Sequence, residues 1–135
     1  MNSAQGDILA QLTVRGAQLR EVRASLMRQT AELRQRWFQG PAGCDLFLWY
    51  GADVGLCQIQ LTLGDRAVDW DAKAGVRTSR ITAFKRDDLS RVVPDKQLDR
   101  ETLVQARALL ASAPVDDVTL ALVRKRLGLR EPKWR

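Results

Sequence analysis

The chain reads as an α+β protein: a long amino-terminal helix, a three- or four-stranded antiparallel meander, and two carboxyl-terminal helices packed on one sheet face. Three observations predict it. Residues 8–35 repeat every seven positions, residues 45–71 alternate every two, and a helical period returns after Pro94. At 135 residues, with 45% hydrophobic and 28% charged side chains, one domain over residues 1–135 can bury a core without metal or disulfide.

The amino-terminal heptads are ILAQLTV, RGAQLRE, VRASLMR and QTAELRQ, which align Ala10, Ala17, Ala24 and Ala31 with Leu12, Leu19, Leu26 and Leu33. They predict a helix over residues 7–38. At ~1.5 Å per residue it would reach ~45 Å, overhanging a domain with a radius of gyration of ~14 Å. Gly16 is its weak link, costing about 1 kcal/mol relative to alanine. With the leucines at heptad position a, position d holds Ile8, Arg15, Val22 and Gln29, too polar a set for a simple zipper. The expected partner-binding seam is Leu12, Arg15, Leu19, Val22, Leu26 and Leu33, joining two copies as a homodimer or docking a helical partner. The competing reading lays an amphipathic helix on its own sheet, with Trp37 and Phe38 in the core.

Residues 45–84 predict the sheet. DLFLWY, LCQIQLTL and RAVDWD are strands separated by GADVG and by Gly64-Asp65, a two-residue turn with glycine first. The register expected from these turns sets Trp49 opposite Cys57, Phe47 opposite Ile59, Ile59 opposite Trp70 and Leu61 opposite Val68. One face then collects Phe47, Trp49, Cys57, Ile59, Leu61, Val68 and Trp70 as core. The other is mixed, with Leu46, Leu48 and Tyr50 beside Gln58, Gln60 and Thr62. Residues 76–84 are a candidate fourth strand, with Arg77 and Arg80 marking an edge.

After Pro94, Asp99 caps a predicted helix through Ala113, with Leu103, Ala106, Leu110 and Ala113 on one face. Pro114 breaks it. A second helix follows from Asp116 or Asp117 to Leu127, burying Val118 and Leu122 and closing at Gly128. Residues 128–135 form a basic tail.

Composition narrows the chemistry. The chain has no histidine, which removes the commonest general base and metal ligand and every Ser/His or Cys/His pair. Cys44 and Cys57 alone make a poor zinc site and read as small core side chains. No catalytic residue, metal or cofactor is expected. For an enzyme, Asp45, Tyr50, Cys57, Asp69 and Asp71 are the only capable groups near one another, and they do not converge.

The net charge of +6 is uneven. Residues 1–43 carry six cations and three anions, residues 44–71 one and five, and residues 72–135 fifteen and eight. A nucleic-acid face built from Arg77, Arg80, Lys85, Arg86, Arg124, Lys125, Arg126, Arg130, Lys133 and Arg135 is the alternative reading, although cations also suit a helix carboxyl end. No apolar run approaches the roughly 20 residues of a membrane span. No secretory leader is legible either, so a cytoplasmic, bacterial-type protein is the expectation. The leading functional expectation is a non-catalytic interaction or adaptor protein, with small basic nucleic-acid-binding protein as its alternative.

Overall fold

Whether residues 20–39 are helix or strand decides the architecture, and strand occupies both ends of that stretch, with only a short helical turn at Ala24–Leu26 between. The computed structural model describes residues 3–27, 29–30, 32–83 and 90–129. Helix α1 (Ser3–Ala17) is followed by strands β1 (Arg20–Glu21), β2 (Leu33–Gln39), β3 (Cys44–Gly51), β4 (Gly55–Leu63), β5 (Arg66–Asp71), β6 (Gly75–Ala83) and β7 (Ser90–Pro94). Helices α2 (Arg100–Leu110) and α3 (Asp117–Leu127) complete the order. The seven strands form one antiparallel sheet in sequence order. The fold class is therefore α+β as expected, with a larger sheet and a shorter first helix.

The predicted helix over residues 7–38 ends at Ala17. At Gly16, α1 crosses α2 so closely that a Cβ would stand 1.6 Å from the Leu109 carbonyl oxygen. Gly16 is thus the contact point of two helices rather than a weakness in one. Farther on, β2 pairs with β3 along its whole length, from Leu33↔Gly51 to Gln39↔Asp45. Without β2, the apolar DLFLWY run would be a bare sheet edge, which folded proteins avoid. Tertiary pairing overrides a local helical pattern here. β6 is likewise no edge, since β7 pairs with it from Ser79↔Pro94 to Ala83↔Ser90.

The register between β4 and β5 is the expected one, with Ile59↔Trp70 and Leu61↔Val68 flanking a turn in which Gly64 has φ +75°. The register between β3 and β4 is not. Tyr50 pairs with Leu56, but Trp49 then pairs with Gln58, and Cys57 is left as an extra residue. This β-bulge is tied by the Cys57 thiol, which donates to the Trp49 carbonyl at 3.3 Å. One inserted residue exchanges the two faces of everything beyond it. Leu48 therefore pairs with Ile59 and Leu46 with Leu61, while Phe47 faces Gln60. Leu46 and Leu48 are core, and Phe47 and Trp49 turn to the opposite face.

The core lies between one sheet face and the helices. Phe38, Leu46, Leu48, Ile59, Leu61 and Val68 are buried there, with Leu12 of α1, Ala106, Leu109 and Leu110 of α2, and Val123 and Leu127 of α3. α2 and α3 contact the central strands directly, and α1 packs on α2. The ends expected for α3 hold, whereas Asp99 stands at the start of α2 without a side-chain cap hydrogen bond and α2 closes at Leu110, short of the expected Ala113. Asp116 caps α3 by accepting from the Thr119 backbone N–H at 3.1 Å, and Gly128 closes it in the left-handed region. Val118, however, points to solvent at 82% exposure, and Leu120 takes the buried place expected of it. Both cysteines are free thiols.

Candidate functional site

The expected seam along the first helix is dispersed. Leu12 and Leu19 are buried in the chain's own core, Leu26 is 74% exposed in a short helical turn, and Leu33 is exposed at the start of β2. Arg15 and Val22 are half-buried in α1 and beyond β1, so the six share no helix face.

The cations also separate. Arg77 and Arg80 sit three residues apart on β6 and so project from opposite faces of the sheet. Arg124 donates to the Leu110 carbonyl at 3.1 Å, and Arg126 lies over the Trp70 ring at 5.3 Å, whereas Lys125 is exposed. Lys85, Arg86, Arg130, Lys133 and Arg135 lie outside the described residues.

The sheet face turned away from the helices carries a different set of residues. Strand alternation brings Trp37, Phe47, Gln60, Asp69 and Arg77 into one row across β2 to β6. Gln35, Trp49, Gln58 and Asp71 form the neighbouring row. The three aromatic rings make a continuous stack. Trp37 and Phe47 have centroids 5.5 Å apart at 14° between planes, and Phe47 and Trp49 are 5.8 Å apart at 21°. All three rings are half-buried.

The stack is held from below. Trp37 Nε1 donates to Asp45 Oδ1 at 3.0 Å, the Asp45 backbone N–H donates to Thr62 Oγ1 at 3.0 Å, and Thr62 Oγ1 donates to the Gly43 carbonyl at 2.8 Å. This chain locks one indole to the turn between β2 and β3. Beside it, the side chains of Gln35, Gln58, Gln60 and Asp69 make no hydrogen bond to another described residue. Donors and acceptors therefore remain open next to a rigid aromatic surface.

The two carboxylates farther along the face differ. Burial pushes the Asp69 carboxyl up, against the pull of Arg77. Asp71 is held low by the backbone N–H groups of Ala74 and Lys73, which it accepts at 2.7 and 2.9 Å, and it also accepts from Arg77 at 3.3 Å. Tyr50 packs on the helix-covered side and so stands apart from these two carboxylates. No cluster of three or more potential metal ligands occurs among the described residues.

Two polar networks on the helix-covered side have a structural task. Arg66 donates from Nε to Thr102 Oγ1 at 2.9 Å and pairs with Asp95 and Asp99, while Thr78 Oγ1 donates to Asp95 at 2.6 Å. This clasp joins β5, β6 and the start of α2. Arg36 similarly ties β2 to the start of α3, reaching Glu21 at 2.8 Å, Asp116 at 3.2 Å and Thr119 at 3.2 Å.

The expected register assigns Phe47 and Trp49 to the core, and Trp37 joins them there only in the competing reading of the first helix. One signal for the bulge was available: Leu56, Ile59, Leu61 and Leu63 are all buried, and the spacing of three between the first two breaks the alternation at Cys57. No helix among the described residues is long and apolar enough to cross a membrane. Comparison of the chain with protein-family models, curated proteins and solved structures finds no match.

Proposed function

We propose that this is a non-catalytic binding protein whose contact surface is the open sheet face centred on Trp37, Phe47 and Trp49. The observation supporting this reading is the pinned stack of three half-exposed rings on a face where no described helix packs. Burying one such side chain is worth about 1.5–3 kcal/mol, and here much of that stabilisation is left unused. Contiguous apolar surface rimmed by polar groups marks interaction sites.

A Trp37→Ala/Trp49→Ala double variant tests this. It should keep the wild-type far-ultraviolet circular dichroism and should lose a ligand that the wild type retains on arrays of glycans, single-stranded oligonucleotides and peptides. If every ligand retained by the wild type is retained equally by the folded variant, the face is not the binding surface.

A second reading, self-association, draws on the outside of the helix layer. Ile8 is 43% exposed, Val14 59% and Val104 52%, and a groove of about 350 Å³ between α1 and α2 is lined by Ile8, Leu9, Val104 and Gln105. A second copy set against this surface would bury those side chains. Light scattering at tens of micromolar should then report a dimer that Val104→Glu dissociates. A monomeric wild type removes this reading.

A further inference from the structure

We propose that the open face binds an uncharged oligosaccharide or polysaccharide chain, laid across the strands along the row Trp37, Phe47, Gln60, Asp69, Arg77. The proposal rests on the reading of this face as the binding surface and adds the chemistry of its ligand.

Three features of the row select that chemistry. Its first part is aromatic, and a pyranose ring offers an apolar C–H face that packs on such rings. Its second part consists of planar groups: the Gln60 amide, the Asp69 carboxylate and the Arg77 guanidinium, with the Gln58 amide beside them in the neighbouring row. Hydroxyls both donate and accept, so a sugar satisfies all three group types, including the carboxylate, which only accepts. The row also crosses five strands at ~4.8 Å spacing, roughly 19 Å end to end. That length suits several linked sugars rather than one.

Charge argues against the other polymer that stacks on aromatic sheet faces. Single-stranded nucleic acid needs cations along its backbone as well as rings beneath its bases. Asp45, Asp69 and Asp71 stand on this face, and Asp71 offsets the charge of Arg77 at 3.3 Å while leaving its other N–H groups to a neutral hydroxyl. The chain is basic overall at +6, yet its aromatic face is not. A phosphate chain there would meet carboxylates, whereas a neutral glycan meets hydrogen-bonding partners. Because Trp37 is fixed through Asp45 and Thr62, little side-chain freedom is lost on binding.

The test is a fluorescence and calorimetric titration of the full chain with neutral hexasaccharides of glucose, mannose, xylose, galactose and N-acetylglucosamine. Twelve-residue oligo(dT) and oligo(U) are titrated in parallel. At least one hexasaccharide should saturate the tryptophan signal. Its affinity should change less than about twofold between 50 and 500 mM NaCl, since no counterions are released. Trp49→Ala should weaken binding about tenfold or more, equivalent to ~1.4 kcal/mol. Asp69→Asn should weaken it less, and both variants should keep the wild-type circular dichroism.

If no hexasaccharide binds while an oligonucleotide or an array peptide binds in a Trp49-dependent way, the glycan proposal is overturned and the binding face survives. If a hexasaccharide binds equally well to folded Trp49→Ala, both are overturned.

Discussion

β3 sends Cys44, Leu46 and Leu48 to one side of the sheet and Asp45, Phe47 and Trp49 to the other, and the two sets meet opposite demands. On the helix-covered side the residues are aliphatic, fully enclosed and interlocked with α2 and α3. On the open side they are larger, half-exposed and braced by hydrogen bonds instead of by packing. Aliphatic side chains fill a dry space between layers with little loss of rotamer freedom. Rings and amides offer a flat, rigid, partly polar surface to something outside. The lesson is that hydrophobic size does not identify core in this chain. Three large rings, two of them tryptophans, are left half-exposed on the open face.

Two phenylalanines test that contrast most sharply. Phe38 is 1% exposed and lies on the helix-covered face, whereas Phe47 stands in the open stack. Phe38→Ala should destabilise by ~3–5 kcal/mol, the range for truncating a buried aromatic. Phe47→Ala should cost less, about 1–3 kcal/mol, since it loses its ring contacts and only a partial burial. Chemical denaturation of both variants measures the gap. Equal losses would mean that the open face is covered, and the comparison of faces would fail.

Gly16→Ala comes next, and its sign is informative. In an isolated helix the change would stabilise by about 1 kcal/mol. Here the added methyl would collide with the Leu109 carbonyl, where the obstacle is backbone and cannot rotate away. Forcing α1 off α2 should destabilise by about 1–3 kcal/mol. A rise in melting temperature would show that the helices do not cross at this point.

What could be read from the chain, and what could not, follows the range of the interactions involved. The β4–β5 hairpin and the limits of α3 were legible because Gly64, Asp116 and Gly128 act on their immediate neighbours. The fate of residues 20–39 was not. Their heptad spacing is a local signal, and pairing with β3 outweighs it once the sheet exists. The faces of β3 were misread through a single unpaired residue at Cys57. The candidate surface was misread with them, because a core holding Phe47 and Trp49 puts Leu46, Leu48 and Tyr50 beside the polar residues of the other face and hides the aromatic stack. Trp37 could be placed there only by recognising β2.

Acid titration separates the two faces through their carboxylates. On the helix-covered side, Arg66 and the Thr78 hydroxyl hold Asp95 below the usual carboxylate range. A carboxylate depressed in the folded state contributes its full stability above the unfolded value of about 3.9, and the contribution disappears as pH falls through the folded value. The wild type should lose melting temperature on acidification below about pH 4. Asp95→Asn should be less stable at pH 7 and decline less steeply in acid. If its decline matched that of the wild type, the Arg66 clasp would not contribute to the acid transition.

Asp69 on the open face should behave in the opposite way, with the smallest effect. Burial raises its carboxyl in the folded state, so folding favours the protonated form. Stability then falls as pH climbs from about 3.9 through the raised folded value and is flat above it. Asp69→Asn removes that fall. The variant should melt a few degrees higher than wild type at pH 7, and the difference should vanish near pH 3, where both carry a neutral side chain at this position. Its hexasaccharide affinity should move the other way. A residue that weakens the fold yet strengthens binding is what the proposed contact surface calls for, with a partly desolvated carboxylate left to meet a ligand's hydroxyl. If Asp69→Asn lowered both stability and affinity at pH 7, Asp69 would be supporting the sheet itself, and the open face would resemble its helix-covered counterpart more than the comparison allows.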